Sequence, residues 1–293
     1  MLISVADPAQ YEAMIAMAVE RNQHQTESDA GWQLMVPQTW PDLVALVATD
    51  GDGAIAGWGY LATRVHMPPG WTSLWLTVGL EAEGQGLGRR LYDGLLEHRK
   101  QATTLLRSTV FDDEDRALAI AQHWGFEIDE LSIESALELR DLPTPDLPPG
   151  VTLEVRPDLN FADQDAVDAM LLASQTNPEA LTGHVVTCPG LVATSAGAIS
   201  LGILARVDGV PAGIVHGTVV DEDLFIGYTG VDPRARGRGL AKLLKQRAHL
   251  EAAAAGATLS VTQNEENNHG IRRVNAELGY VVRHGTYRMR RPL

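Results

Sequence analysis

Apolar residues recur along the chain with two different spacings. Val151–Arg156, Leu201–Val207, Ala212–Val220 and Leu224–Val231 are short apolar runs between turn residues, and they predict strands. Asp208-Gly209 predicts a tight turn between the second and third runs, and Asp221-Glu222-Asp223 a turn before the fourth. Phe161–Ser174 and Leu240–Ala255 predict helices, the latter rich in Ala, Leu and Lys and stopped near Gly256. Thr258–Thr262 predicts a strand and Asn268–Leu278 a helix ended by Gly279. Tyr280–Val282 and Tyr287–Arg290 predict two closing strands.

The first half gives the same succession. Leu2–Val5, Leu43–Thr49, Ala54–Ala62 and Trp71–Val78 predict strands, with a turn at Asp50–Gly53. Tyr11–Asn22, Leu87–Lys100 and Arg116–Trp124 predict helices. The halves also align residue by residue. Val78-Gly79-Leu80-Glu81-Ala82-Glu83-Gly84-Gln85-Gly86-Leu87 stands against Val231-Asp232-Pro233-Arg234-Ala235-Arg236-Gly237-Arg238-Gly239-Leu240 at a constant offset. Trp124-Gly125-Phe126 then answers Leu278-Gly279-Tyr280. A stiff Pro-rich segment, 143–150, separates the copies, so domains are expected at 1–142 and 151–293.

Composition narrows the class. The chain has 293 residues, 45% of them hydrophobic, and its longest apolar runs, such as Leu43–Ala48, are too short to span a membrane. No signal-like start precedes the first strand, so a cytoplasmic protein is expected. A single cysteine, Cys188, excludes an internal disulfide and a cysteine zinc cage, and no metal is expected. The net charge of −15 argues against nucleic acid or anionic membrane as partner. That charge is uneven: residues 1–146 carry 9 basic and 23 acidic side chains, residues 147–293 carry 14 and 15. An anionic ligand should therefore prefer the second half.

The turn Arg236-Gly237-Arg238-Gly239-Leu240-Ala241 follows an apolar strand and opens a helix. Small residues let a ligand approach the backbone, and the first N–H groups of a helix lack internal partners. With the positive end of the helix dipole behind them, they suit a phosphate or pyrophosphate. The pattern is not the phosphate loop of nucleotide hydrolases, and it lacks the third Gly of a dinucleotide fingerprint.

This succession of strand, Arg-Gly-Arg-Gly turn, helix, strand and helix ending Leu278-Gly279-Tyr280 resembles the GNAT superfamily of acyl-CoA N-acyltransferases. The paired copies resemble its tandem type, as in mycothiol synthase-like and other actinobacterial acetyltransferases. The resemblance implies an α/β class with two tandem GNAT folds, each a twisted, mostly antiparallel sheet flanked by helices. It implies acetyl-CoA as cosubstrate, held by the backbone of Arg236, Gly237, Arg238, Gly239, Leu240 and Ala241, with Asn268 near the pantetheine or pyrophosphate. The Val231 backbone would pair with the pantetheine and polarise the thioester carbonyl. A primary amine would then attack directly, with no enzyme nucleophile, leaving Cys188 incidental.

Two departures stand out against that family. Glu83 occupies the Arg236 position in the first copy, and Asp112-Asp113-Glu114-Asp115 adds negative charge nearby, so the first domain is expected to be degenerate and the second catalytic. Asn275 stands where many members carry a Tyr acid, and no carboxylate occupies Phe225–Tyr228, where many carry a Glu base. Candidates for proton transfer are Asp223, Glu222, His216 and Tyr228. Asn177, Glu179 and His184 are expected to contact the acceptor. The expected acceptor is a small, cationic primary amine, attracted by the acidic first half, and the chain is expected to be a monomer or homodimer. A protein N-acetyltransferase and a non-catalytic acyl-CoA-binding protein are the alternatives.

Overall fold

The computed structural model describes residues 1–22, 24, 40, 42–63, 67–175, 187–188 and 198–293. Contacts divide the chain into two compact units, Met1–Asp129 with Tyr287–Leu293, and Glu130–Thr286.

In the first unit, β1 (Leu2–Val5), β2 (Val44–Thr49), β3 (Ile55–Ala62) and β4 (Trp71–Val78) pair antiparallel in that order. β4 then pairs parallel with β5 (Leu105–Phe111) through the crossover helix α2 (Leu87–Glu97). α1 (Tyr11–Arg21) and α2 cover opposite faces, as the alternation of the strands requires. Leu46, Leu61, Leu74 and Leu106 pack with Leu91 and Leu95 of α2. Val47, Trp58 and Tyr60 pack with Met14, Ile15 and Ala18 of α1. α3 (Asp115–His123) follows β5 and leads into β6 (Glu127–Glu138).

The second unit repeats the plan. β7 (Val151–Arg156), β8 (Ile199–Val207), β9 (Val210–Val220) and β10 (Asp223–Val231) are antiparallel, and β10 pairs parallel with β11 (Leu259–Glu265) through α5 (Leu240–Ala254). α4 (Gln164–Ser174) packs Val167, Met170 and Leu171 on one face, against Leu204 and Ile214. Leu244, Ala248 and Ala252 of α5 pack on Ile203, Val215 and Ile226 on the other. α6 (His269–Leu278) ends in left-handed Gly279, as its sequence predicts. The whole is a mixed α/β protein built on mostly antiparallel sheet.

Several elements differ from their sequence-based bounds. α4 begins at Gln164 rather than Phe161, because Phe161 packs in the core ahead of the helix. α2 stops at Glu97. The two expected closing strands are one continuous strand, β12 (Val281–Pro292). The units also part elsewhere than at 143–150. β6 pairs antiparallel with β11 from Ser132–Glu265 to Glu138–Leu259, so residues 130–142 go with the second unit. At the other end Met289 joins the core of the first unit, and the Leu293 N–H donates to Thr104 O at 3.0 Å.

Candidate functional site

β10 and β11 begin side by side and then part. Their parallel pairing runs from Asp223–Leu259 to Ile226–Thr262 and stops there, while both strands continue. At the same point β10 carries a bulge. Ile226 pairs with Gly217 and Tyr228 with His216, leaving Gly227 as an extra residue. Gly227 is exposed, and a Cβ added there would meet nothing within 4 Å. The bulge also resets the strand, so that Tyr228 faces α4. Its hydroxyl bonds to buried Ser174 Oγ at the end of that helix.

Past the bulge, β10 has β9 on one side only. The Asp232 N–H donates to Ala212 O at 2.9 Å, so Val231, one residue earlier, turns its N–H away from β9 and toward the opening. The chain then makes a 3-10 turn, Pro233–Ala235, capped by Asp232. The Asp232 carboxylate takes the Arg234 N–H at 2.8 Å and its guanidinium at 2.7 and 3.0 Å, and these bonds hold its carboxyl down to about 2. Gly237 and Gly239 adopt φ of +77° and +74°, a region that suits glycine. Gly239 caps α5 without a side-chain bond, and the first backbone bond into the helix is Leu243 N–H to Gly239 O at 3.1 Å. The amides of the first turn are thus presented to the opening with the helix dipole behind them. Arg236 leans back along this path, its Nε 3.3 Å from Val231 O.

Each sheet face carries its own chemistry here. On the α5 side, the Lys245 ammonium is fully buried. It donates to Asn275 Oδ1 at 2.7 Å and lies 3.4 Å from Thr262 Oγ1, beside the last β10–β11 pair. Thr262 donates in turn to Ile226 O at 3.3 Å, and Asn275 Nδ2 to Asn264 Oδ1 at 2.7 Å. Deeper in, Tyr280 OH lies 2.7 Å from both His249 Nε2 and Ser260 Oγ. Burial, reinforced by the Lys245 charge, lowers His249 to about 3, while burial raises Tyr280. On the α4 side, His216 contacts Ser200 Oγ at 3.3 Å, and burial lowers it to about 4. The imidazole is therefore neutral near pH 7.

The sequence-predicted residues distribute as follows. Val231 ends β10, and Arg236, Gly237, Arg238, Gly239, Leu240 and Ala241 follow as the turn and first residues of α5. Asn268 caps α6, its Oδ1 3.4 Å from the Ile271 N–H. Tyr228 and His216 are cross-strand partners on the α4 face. Asp223 opens β10 at its paired end, roughly 13 Å of strand away from the bulge. Asn177, Glu179 and His184 fall outside the described residues. Cys188 is buried, its thiol raised by burial, and its Sγ lies 3.5 Å from Leu159 O. Among the described residues, no grouping of His, Cys, Asp and Glu could hold a metal, and no helix is long and apolar enough to cross a membrane.

Sequence reading missed Lys245, which is hidden in an Ala, Leu and Lys-rich helix, although it falls beside the apolar stripe of Leu240, Leu244 and Ala248. It also missed Glu134, which β6 sets opposite Gln263 of β11.

In the first unit the same backbone carries different side chains. β4 and β5 pair from Trp71–Leu105 to Ser73–Arg107 and then part, but β4 keeps an unbroken register with β3. The turn repeats with Gly84 at φ +71° and Gly86 at +77°. Glu83 is held there by Arg21 of α1 at 2.5 Å and by Arg116 of α3. Beside it, Asn22 donates to Glu114 at 2.8 Å, and His24 lies 2.6 Å from Asp113. Burial raises the Glu114 carboxyl, and Arg21 opposes the shift.

Comparison with known proteins agrees with this architecture. Residues 189–280 match the family model described as Acetyltransferase (GNAT) family. The structure of a GCN5-related N-acetyltransferase from Sphaerobacter thermophilus gives a TM-score of 0.77 at 17% identity, covering 99% of this chain and 95% of that one. A tandem GNAT protein from the clavulanic acid biosynthesis pathway gives 0.77 at 23% identity, with 99% and 98% covered. A GCN5-related N-acetyltransferase from Kribbella flavida gives 0.56 at 19% identity, with 82% and 89% covered. No curated protein matches the sequence at a significant level. The structural likenesses establish the fold, and the family match gives its second copy an activity class. Residues 189–280 thus match the GNAT acetyltransferase family, in a chain that has the tandem GNAT fold along its length.

Proposed function

We propose that the chain transfers an acetyl group from acetyl-CoA to the primary amine of a small, cationic molecule, and that only the second unit does so. The family as a whole uses acetyl-CoA. One observation carries the reading for this chain. β10 parts from β11 after Ile226–Thr262 and leads directly into the Arg236–Ala241 turn and the uncapped start of α5.

A ligand that is an extended amide at one end and a pyrophosphate at the other fits that path. The pantetheine arm lies along β10 as an added strand, paired with the Val231 backbone. The pyrophosphate rests on the amides of Arg236 to Ala241, with Arg236 and Arg238 adding charge. Asn268 lies near the pantetheine. The Val231 N–H, turned toward the opening, donates to the thioester carbonyl and stabilises its oxyanion. The amine attacks the carbonyl carbon directly, and the thiolate leaves. A thiol with a pKa near 8.5 is a competent leaving group, so Asn275 in place of a hydroxyl acid is compatible with turnover.

Tyr228, His216 and Asp223 are the proposed proton-transfer candidates named by sequence, and Asn177, Glu179 and His184 the proposed acceptor contacts. Asp223 is the weakest, given its distance along the strand. The first unit holds no acyl-CoA in this reading. Its strand lacks the bulge, and Glu83, engaged by Arg21 and Arg116, puts a carboxylate where the pyrophosphate would sit. The excess acid of residues 1–146 favours a cationic acceptor.

The test is a panel of amines with thiol release as readout. Amino sugars and polyamines are expected to turn over well above anionic amino acids. A preference for the anionic amines contradicts the cationic assignment, and no turnover with any amine contradicts the enzyme assignment.

A further inference from the structure

The second half of the chain has no carboxylate on β10 between Ile226 and Val231. The second unit nevertheless has one beside the opening, because β6 comes from before the Pro-rich segment. Glu134 of β6 is the direct partner of Gln263 of β11, one residue past Thr262, where β10 and β11 part. Cross-strand partners share a face, and pairing carries that face from Glu134 and Gln263 through Val261 to Phe225, Thr218, His216 and Tyr228. Glu134 therefore stands on the α4 side of the sheet, the side to which the bulge turns Tyr228.

Its carboxylate is held, not loose. Oε2 accepts from Gln263 Nε2 at 3.1 Å and lies 3.7 Å from His284 Nε2 of β12. Oε1 lies 3.6 Å from Arg283, also of β12. Two residues along the same face, Glu265 and Ser132 are partners and both buried. Among the described residues, Ser132 Oγ has no hydrogen-bond partner although the residue is 2% exposed. A buried hydroxyl without a partner, next to an anchored carboxylate, marks a polar floor built for a hydrogen-bonding ligand.

We infer that Glu134 is the group that takes the proton from the acceptor amine, an inference that rests on the acetyltransferase reading above. The acceptor arrives as an ammonium. One N–H proton passes to the Glu134 carboxylate, freeing the nitrogen lone pair. The C–N bond forms at the thioester carbonyl, the C–S bond breaks, and the second N–H proton of the adduct ends on the departing sulfur. Glu134 then gives its proton to solvent. The products are the amide, free CoA and one proton. Gln263, His284 and Arg283 fix the carboxylate in place; among the described residues the charged and titratable groups beside it are Arg283 and His284, with Glu265 two residues farther along β11.

The test compares wild type with Glu134→Gln at pH 7, using the best amine of the panel. The expected result is at least a tenfold loss of kcat, with acetyl-CoA affinity within twofold of wild type. The activity of the variant should climb with pH, following the free-amine fraction, where wild type has levelled off. Should Glu134→Gln not fold, Glu134→Asp carries the test, because it keeps the charge. Withdrawing the carboxylate by one methylene should lower kcat at least threefold with affinity for acetyl-CoA unchanged. Wild-type kcat and an unaltered pH profile in the folded variant overturn the inference and leave the acetyltransferase reading standing. Absence of turnover in wild type itself overturns both.

Discussion

Glu83 and Arg236 occupy the same place in two copies of one turn, with φ, ψ of −64°, 150° and −63°, 161°. Each precedes a left-handed Gly-x-Gly and a helix start without a side-chain cap. The backbone geometry of the two turns is therefore alike. The side chain at this one position, with what surrounds it, separates them. Arg236 adds to the positive end of a helix dipole, whereas Glu83 already spends Arg21 and Arg116.

Reversing the charge at the working turn should remove the cosubstrate. Arg236→Glu is expected to weaken acetyl-CoA binding at least tenfold, equal to about 1.4 kcal/mol. Arg236→Gln should fall between it and wild type. Calorimetry reads both, and unchanged affinity in Arg236→Glu would put the phosphate site elsewhere.

The Glu83 clasp is a stability feature of the first unit. Glu83→Gln leaves Arg21 and Arg116 without their shared carboxylate; Glu83 is half-buried and Arg116 exposed, so solvent screens part of the pairing and the cost should be about 1 kcal/mol. Thermal melts at low and high salt check this, since screening should shrink the difference. The substitution should leave acetyl-CoA binding to the second unit unchanged.

Two glycines bound the opening for different reasons. Gly239→Val forces a β-branched residue to φ near +74°, a cost of roughly 1–2 kcal/mol, and should abolish acetyl-CoA binding at the start of α5. Gly230→Ala would bring a Cβ within 2.4 Å of Ser174 Oγ and 2.6 Å of Tyr228 OH. It should displace Tyr228 and lower turnover more than it lowers acetyl-CoA affinity. Equal losses in both quantities would contradict that separation.

Acid should destabilise the second unit through two histidines. Burial holds His216 near 4 and His249 near 3, against an ordinary value of 6.5. Both are neutral in the folded chain while the unfolded chain takes up protons. The stability they allow is present above pH 6.5 and falls as pH drops toward 4, by up to about 3 kcal/mol for His216. His216→Gln should flatten that slope in denaturant titrations between pH 7 and 4; an unchanged slope would mean the imidazole is already charged when folded.

The strands, the two helix starts and the repeated turn were legible because alternation, Gly placement and internal repetition are local signals. β5 and β6 carry no comparable local signal. β6 reads Glu127-Ile-Asp-Glu-Leu-Ser-Ile-Glu-Ser-Ala-Leu-Glu138, with charges scattered through its apolar positions. Its partner β11 lies more than a hundred residues away, so nothing nearby in the sequence marks it as sheet. Glu134 lies before the Pro-rich segment whereas its partner strand lies after it, so the internal repeat does not point to it. Gly227 carries no period of its own, and the bulge emerges only from the registers of β9 and β10. Lys245 resembles a solvated helix residue until Asn275 and Thr262 are folded against it.

The measurement that tests the central claim most directly is a calorimetric titration of acetyl-CoA into the full chain, repeated with Arg236→Glu and Glu83→Gln. One site per chain is predicted, weakened at least tenfold by Arg236→Glu and unaffected by Glu83→Gln. Two sites, or one site that survives Arg236→Glu and responds to Glu83→Gln, would contradict the assignment of the second unit as the working acetyltransferase.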